Sequence, residues 1–115
     1  MEKNNHDHLP LVKIKSGNFR DVYNRGEKCV GGKLILFFLP GGEEQAFASV
    51  ASRKIGNAVV RNRAKRLLRE AFRTMKGRLQ KPGAYILLAR AGIRGSSCPQ
   101  VQGELEKLLT RLNLF

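Results

Sequence analysis

Apolar residues recur at helical spacing in three stretches of the chain. Between 58 and 76, Val60, Ala64, Leu67, Leu68, Ala71, Phe72 and Met75 fall three and four positions apart. That is the repeat of one buried helix face, so a helix of about 28 Å is predicted, at about 1.5 Å per residue, with Gly77 ending it. Val101, Leu105, Leu108, Leu109 and Leu112 mark a last helix over 99–112, with Pro99 suited to its first turn. A short helix over 18–25 places Phe19, Val22 and Tyr23 on one face, with Ser16 to cap it and Gly26 to close it. Strands are predicted over 33–39, 46–52 and 84–90, and a short one over 27–30. The continuous apolar run at 84–90 suits a central strand covered on both faces. Pro40-Gly41-Gly42 reads as a turn and 92–97 as a loop. The order αβββαβα implies an α/β (α+β) two-layer sandwich on a mixed four-stranded sheet.

The chain has 115 residues, enough for a single domain with one core. Residues 1–10 are polar and read as a flexible tail. Their His6-Asp7-His8 is no more than an adventitious metal-binding pair. The charge balance alters the picture. Twenty-two Lys and Arg oppose nine Asp and Glu, for a net charge of +13. Residues 53–81 hold eleven basic side chains and one acid, so most of the excess is local. Such a field captures polyanions, nucleic acid first and acidic membrane second. Cys29 and Cys98 are too few for a disulfide framework or a zinc site and read as reduced thiols of a cytoplasmic protein. No apolar run approaches the roughly 18 residues of a membrane span, and no signal peptide is visible. There is no paired carboxylate set, no nucleophile beside a base and no phosphate-cradling glycine loop. No residue of the chain is assigned a catalytic role.

The long helix is where charge and order coincide. Lys65, Arg66, Arg69, Arg73 and Lys76 lie opposite its apolar stripe, while Arg61 and Arg63 border it. A solvated helix face usually mixes signs at four-residue spacing; here Glu70 is the only acid. Arg61 and Arg63 also sit where the helix dipole is positive, at a cost of a few tenths to about 1 kcal/mol each. A phosphate would relieve that cost and accept the free N–H groups of the first turn. The face therefore reads as a nucleic-acid contact, with a merely solvated surface as the plain alternative. Phe19 and Tyr23 fit either a core or a stacking platform for single-stranded bases. Phe37 and Phe38 put one ring on each face of their strand.

The run Lys54-Ile55-Gly56-Asn57-Ala58-Val59-Val60-Arg61-Asn62-Arg63-Ala64-Lys65-Arg66-Leu67-Leu68-Arg69-Glu70-Ala71-Phe72-Arg73 resembles the signature of the bacterial ribonuclease P protein component. Phe19-Arg20-Asp21-Val22-Tyr23 with Gly26, residues 34–40 and residues 84–90 extend the resemblance. It implies a sheet with a left-handed βαβ crossover, shared with ribosomal proteins. It implies a subunit of the ribonucleoprotein endonuclease ribonuclease P, whose catalytic RNA hydrolyses precursor tRNA to remove the 5′ leader. The implied ion is Mg²⁺, held mainly by the RNA subunit, with no metal ligand in the chain. The implied partners are that catalytic RNA and precursor tRNA, without membrane or small-molecule cofactor. Carried onto this sequence, Lys54, Asn57, Arg61, Asn62, Arg63, Lys65, Arg66 and Arg69 are assigned to the catalytic RNA. Phe19, Tyr23, Ile35, Phe37 and Ser52 are assigned to a cleft for the leader. Two segments depart from the family's pattern: Lys13-Ile14-Lys15, with an apolar residue where Arg is common, and Ala48-Ser49, where Gly and an aliphatic are more usual. The rivals are a ribosomal RNA-binding protein, which would stimulate no cleavage, and an acidic-membrane binder.

Overall fold

The computed structural model describes residues 11–115; the expected tail and its His6-Asp7-His8 lie outside the described residues. The elements run β1 (Leu11–Lys13), α1 (Phe19–Arg25), β2 (Glu27–Val30), β3 (Leu34–Pro40), β4 (Gln45–Val50), α2 (Ala58–Met75), β5 (Gly83–Ala89) and α3 (Cys98–Arg111). The mixed sheet has five strands rather than the four expected, in the order β1-β4-β5-β3-β2. The added strand β1 pairs parallel to β4, with Val12 opposite Ala46. Three residues are too few to show an alternating pattern, which is why the sequence does not display it. The short helix also begins later than expected. Ser16–Asn18 is a 3-10 turn, and Asn18 rather than Ser16 stands at the N-cap of α1 without a side-chain cap bond.

β5 lies at the centre, antiparallel to β3 and parallel to β4, and its apolar run is covered on both faces as expected. Alternation divides the core in two. One face carries Leu34, Leu36, Phe38, Tyr85, Leu87 and Ala89, which pack under α2 and α3. Phe72 fixes α2 to it, stacked on Phe47 at 4.4 Å between centroids and 5.3 Å from Tyr85. Of the predicted α2 stripe, Ala64, Leu68, Ala71, Phe72 and Met75 are buried, and Val60 and Leu67 pack on the cluster half-buried. The capping box of Ser97 and Gln100, with Pro99 in the first turn, starts α3. The Glu104 carboxylate of α3 accepts the backbone N–H groups of Lys33 and Leu34 at 2.6 and 3.0 Å, tying the helix to the β2–β3 turn. The opposite face buries Val22 of α1 with Ile14, Phe37 and Ile86. α2 connects β4 to its parallel neighbour β5 and so crosses the first face. Its basic side is thereby turned away from the sheet, while α1 and the second face lie behind it.

Candidate nucleic-acid interface

The chain enters α2 through the 3-10 turn Arg53–Ile55 and Gly56. Gly56 has φ +151°, and a Cβ there would stand 3.0 Å from Val60, so this approach needs a glycine. Asn57 Oδ1 accepts the Val60 N–H at 3.0 Å and caps the helix. Arg61 Nη1 donates to the Gly56 carbonyl at 2.9 Å, and Arg63 Nη2 donates to the Ser96 carbonyl at 3.1 Å. These bonds revise the sequence reading of the two arginines. Backbone carbonyls, and not only a phosphate, offset their place at the positive end of the dipole. A guanidinium has five N–H groups, so each arginine keeps donors for a second acceptor.

Three of the eight residues assigned to the catalytic RNA therefore also build the start of α2. Lys54, Asn62, Arg66 and Arg69 are exposed and Lys65 is half-buried. Among the described residues, the ion pair on this helix is Arg73 with Glu70 at 3.6 Å. The rest of the face carries cations without carboxylate partners, an arrangement whose outward field favours a polyanion over a cation or neutral surface.

The leader-cleft residues come together behind the sheet, with one exception. Tyr23 meets Phe37 edge to face at 4.8 Å and 89°, and Phe19 lies 6.3 Å from Tyr23. Ile35 is half-buried in the same cluster. Ser52 lies beyond the end of β4, exposed, at the N-cap of the 3-10 turn. Strand register places two rows across this face. Ala48, Ile86, Phe37 and Lys28 form the first, and Val50, Leu88, Ile35 and Val30 the second. The first is closed at its middle, where Ile86 and Phe37 are buried. The second is open: Val50, Leu88 and Ile35 are half-buried and Val30 is 47% exposed. It crosses four strands, about 14 Å at roughly 4.8 Å per strand, a span for a few stacked bases.

Cations border this apolar row. Lys28 Nζ stands 5.8 Å from the Phe37 ring centroid. Arg90, just past β5, donates from Nη1 to the Gly31 carbonyl at 2.8 Å. The other end of the face is different. A cavity of about 760 Å³ between the start of α1 and the β3–β4 turn carries Asp21, Glu43 and Glu44, which repel phosphate. Sequence reasoning missed Lys28, Val30, Val50, Leu88 and Arg90. Alternation from Phe37 marks which face the residues of one strand share, but only the register brings the four strands into line.

Burial raises the phenol of Tyr23 above its ordinary value, and that of Tyr85 much further. Both remain neutral hydrogen-bonding groups at neutral pH. Among the described residues no group of three or more His, Cys, Asp or Glu is placed to hold a metal ion. No helix of the described residues is long and apolar enough to cross a membrane.

Comparisons with known proteins bear on the family and the fold. The Ribonuclease P family model matches residues 13–113. The ribonuclease P protein component of Caldanaerobacter subterraneus subsp. tengcongensis is 33% identical over 91% of this chain and 92% of its own length. That of Bacillus velezensis is 36% identical over 88% of each. Among solved structures, the RNase P protein of Staphylococcus aureus superposes with a TM-score of 0.78 at 27% identity, covering 91% of this chain and 96% of its own. That of Thermotoga maritima gives 0.77 at 25% identity, covering 86% and 96%. With the family model matched over residues 13–113 and these relatives covered over most of their own length, the chain belongs to the ribonuclease P protein-component family.

Proposed function

We propose that the chain docks on a catalytic RNA through the outward face of α2 and holds the single-stranded 5′ leader of precursor tRNA on the open apolar row behind the sheet. Its family membership gives it the subunit role in tRNA 5′ processing; the assignment of surfaces is our reading. The observation that carries this reading is the division of two unlike surfaces across one sheet. Lys54, Lys65, Arg66 and Arg69, with the neutral Asn62 among them, present charge without rings. Val50, Leu88, Ile35 and Val30, with half-buried Tyr23 in the same cluster, present apolar surface bordered by Lys28 and Arg90.

The first surface suits folded RNA, whose phosphates are dense and whose bases are already stacked. The second suits an unpaired strand, whose bases need faces to stack on. In this reading Mg²⁺ belongs to the RNA, and the chain supplies charge and position rather than a reacting group. Neutralising phosphate repulsion would lower the amount of free Mg²⁺ the assembly needs. The test is precursor-tRNA cleavage by the catalytic RNA of the same organism, with and without the chain, across a Mg²⁺ titration. Cleavage should begin at lower Mg²⁺ with the chain present. Identical titrations would refute the proposal.

A further inference from the structure

Val59 is 77% exposed, an aliphatic side chain at the head of the most basic face of the molecule. Helical spacing aligns it with Asn62, Arg63 and Arg66, three, four and seven positions on. It also forms one wall of a cavity of about 370 Å³ between the start of α2 and the β5–α3 connection. Val60, Ala64 and buried Ile93 supply the apolar floor. Arg63 and Arg94 line the same cavity, and Arg63 is held in place by its bond to the Ser96 carbonyl.

An apolar slot whose lining includes two arginines is suited to one flat, weakly polar ring attached to a phosphate. The floor excludes water from the ring faces, a guanidinium plane can lie over it, and the flanking phosphate meets the charge. We propose that this cavity receives a single unstacked nucleobase of the docked RNA, making it a base-binding site separate from the leader cleft. The proposal rests on the reading of α2 as the RNA-docking face. It also accounts for Val59, an exposed aliphatic that gains nothing from a phosphate. A second protein is disfavoured as occupant because the rim is cationic and the surrounding face carries mostly cations.

Two measurements on the full chain test this. In the first, the methyl signals of Val59, Val60 and Ile93 are followed by NMR while adenosine 5′-monophosphate or inorganic phosphate is added. The nucleotide should move all three and phosphate should leave them still; equal responses to both would overturn the proposal. In the second, Val59→Ser and Arg66→Ala are compared in binding the catalytic RNA over a range of salt. Val59→Ser should bind roughly tenfold more weakly, the scale of losing the apolar burial of its two methyl groups, at unchanged salt slope, because every cation that faces phosphate is still present. Wild-type affinity for Val59→Ser beside a flattened slope for Arg66→Ala would overturn the base site and leave the docking face standing. No change in either variant would overturn both.

Discussion

The rings of Tyr23 and Phe37 meet edge to face at 4.8 Å and 89°, and the two are unequally covered. Phe37 is 7% exposed, while Tyr23 is half-buried. The pair therefore splits the work assigned to it. Phe37 is a core residue packed under α1, and in the proposed leader site Tyr23 would be the ring whose surface remains accessible.

That difference decides which substitution is informative. Phe37→Ala opens the core and should cost about 3–5 kcal/mol of stability, so a loss of binding there would be ambiguous. Tyr23→Ala and Val30→Asp remove reachable surface instead. Each should weaken the holoenzyme's affinity for precursor tRNA about tenfold, the scale of unstacking one base from its platform, and leave mature tRNA nearly unaffected. Filter binding of both tRNAs measures it. Equal losses for both would show that the row does not hold the leader.

Arg63 and Arg66 should behave differently. Arg66 is exposed and has no carboxylate partner among the described residues. Arg66→Ala should flatten the salt dependence of catalytic-RNA binding by about 0.7–0.9 log units per log salt for each phosphate that the side chain neutralises, with stability within about 0.5 kcal/mol of wild type. Arg63 holds the Ser96 carbonyl, so Arg63→Ala should lower both RNA affinity and Tm. Salt-series binding and thermal melts separate the two.

Gln45 opens β4 fully buried, and neither Nε2 nor Oε1 has a hydrogen-bond partner among the described residues. An unsatisfied buried amide costs about 1–3 kcal/mol. Gln45→Met, similar in length and apolar, should raise stability by about 1 kcal/mol in urea unfolding at unchanged RNA affinity. A loss of stability would mean that the amide is satisfied in solution.

Both tyrosines should make the fold sensitive to alkali. Burial raises their folded values above the ordinary 10.0, and Tyr85 also donates its hydroxyl to the Lys81 carbonyl. A group raised on folding contributes in full below its unfolded value and loses that contribution as pH climbs past it. Stability should be level with respect to these groups at neutral pH and fall from about pH 10 upward. Phenolate absorbance should appear near pH 10 in denaturant and later in the folded chain.

The sequence displayed what depends on local pattern. Ala64, Leu68, Ala71, Phe72 and Met75 bury as their spacing required, and Phe37 and Phe38 separate to opposite faces because strand alternation leaves no other choice. What depends on distant partners did not show. β1 consists of three residues whose pairing is with β4. The apolar row exists only once register brings Val30, Ile35, Leu88 and Val50 into line. The carbonyls that hold Arg61 and Arg63 belong to Gly56 and Ser96, and the second of these is unpredictable without the β5–α3 connection. The sequence correctly located the charge on α2, but it attributed to phosphate alone a compensation that the fold itself shares.

Two RNAs are assigned to two faces of one sheet, and crosslinking from each face measures that most directly. A photo-crosslinker is placed at position 66 or position 30, through Arg66→Cys or Val30→Cys with Cys98→Ser to remove the half-buried native thiol. The assembled holoenzyme carrying precursor tRNA is then irradiated. Position 66 should join the catalytic RNA and position 30 the precursor leader. Capture of the same RNA from both positions, or of tRNA from position 66, would contradict the assignment.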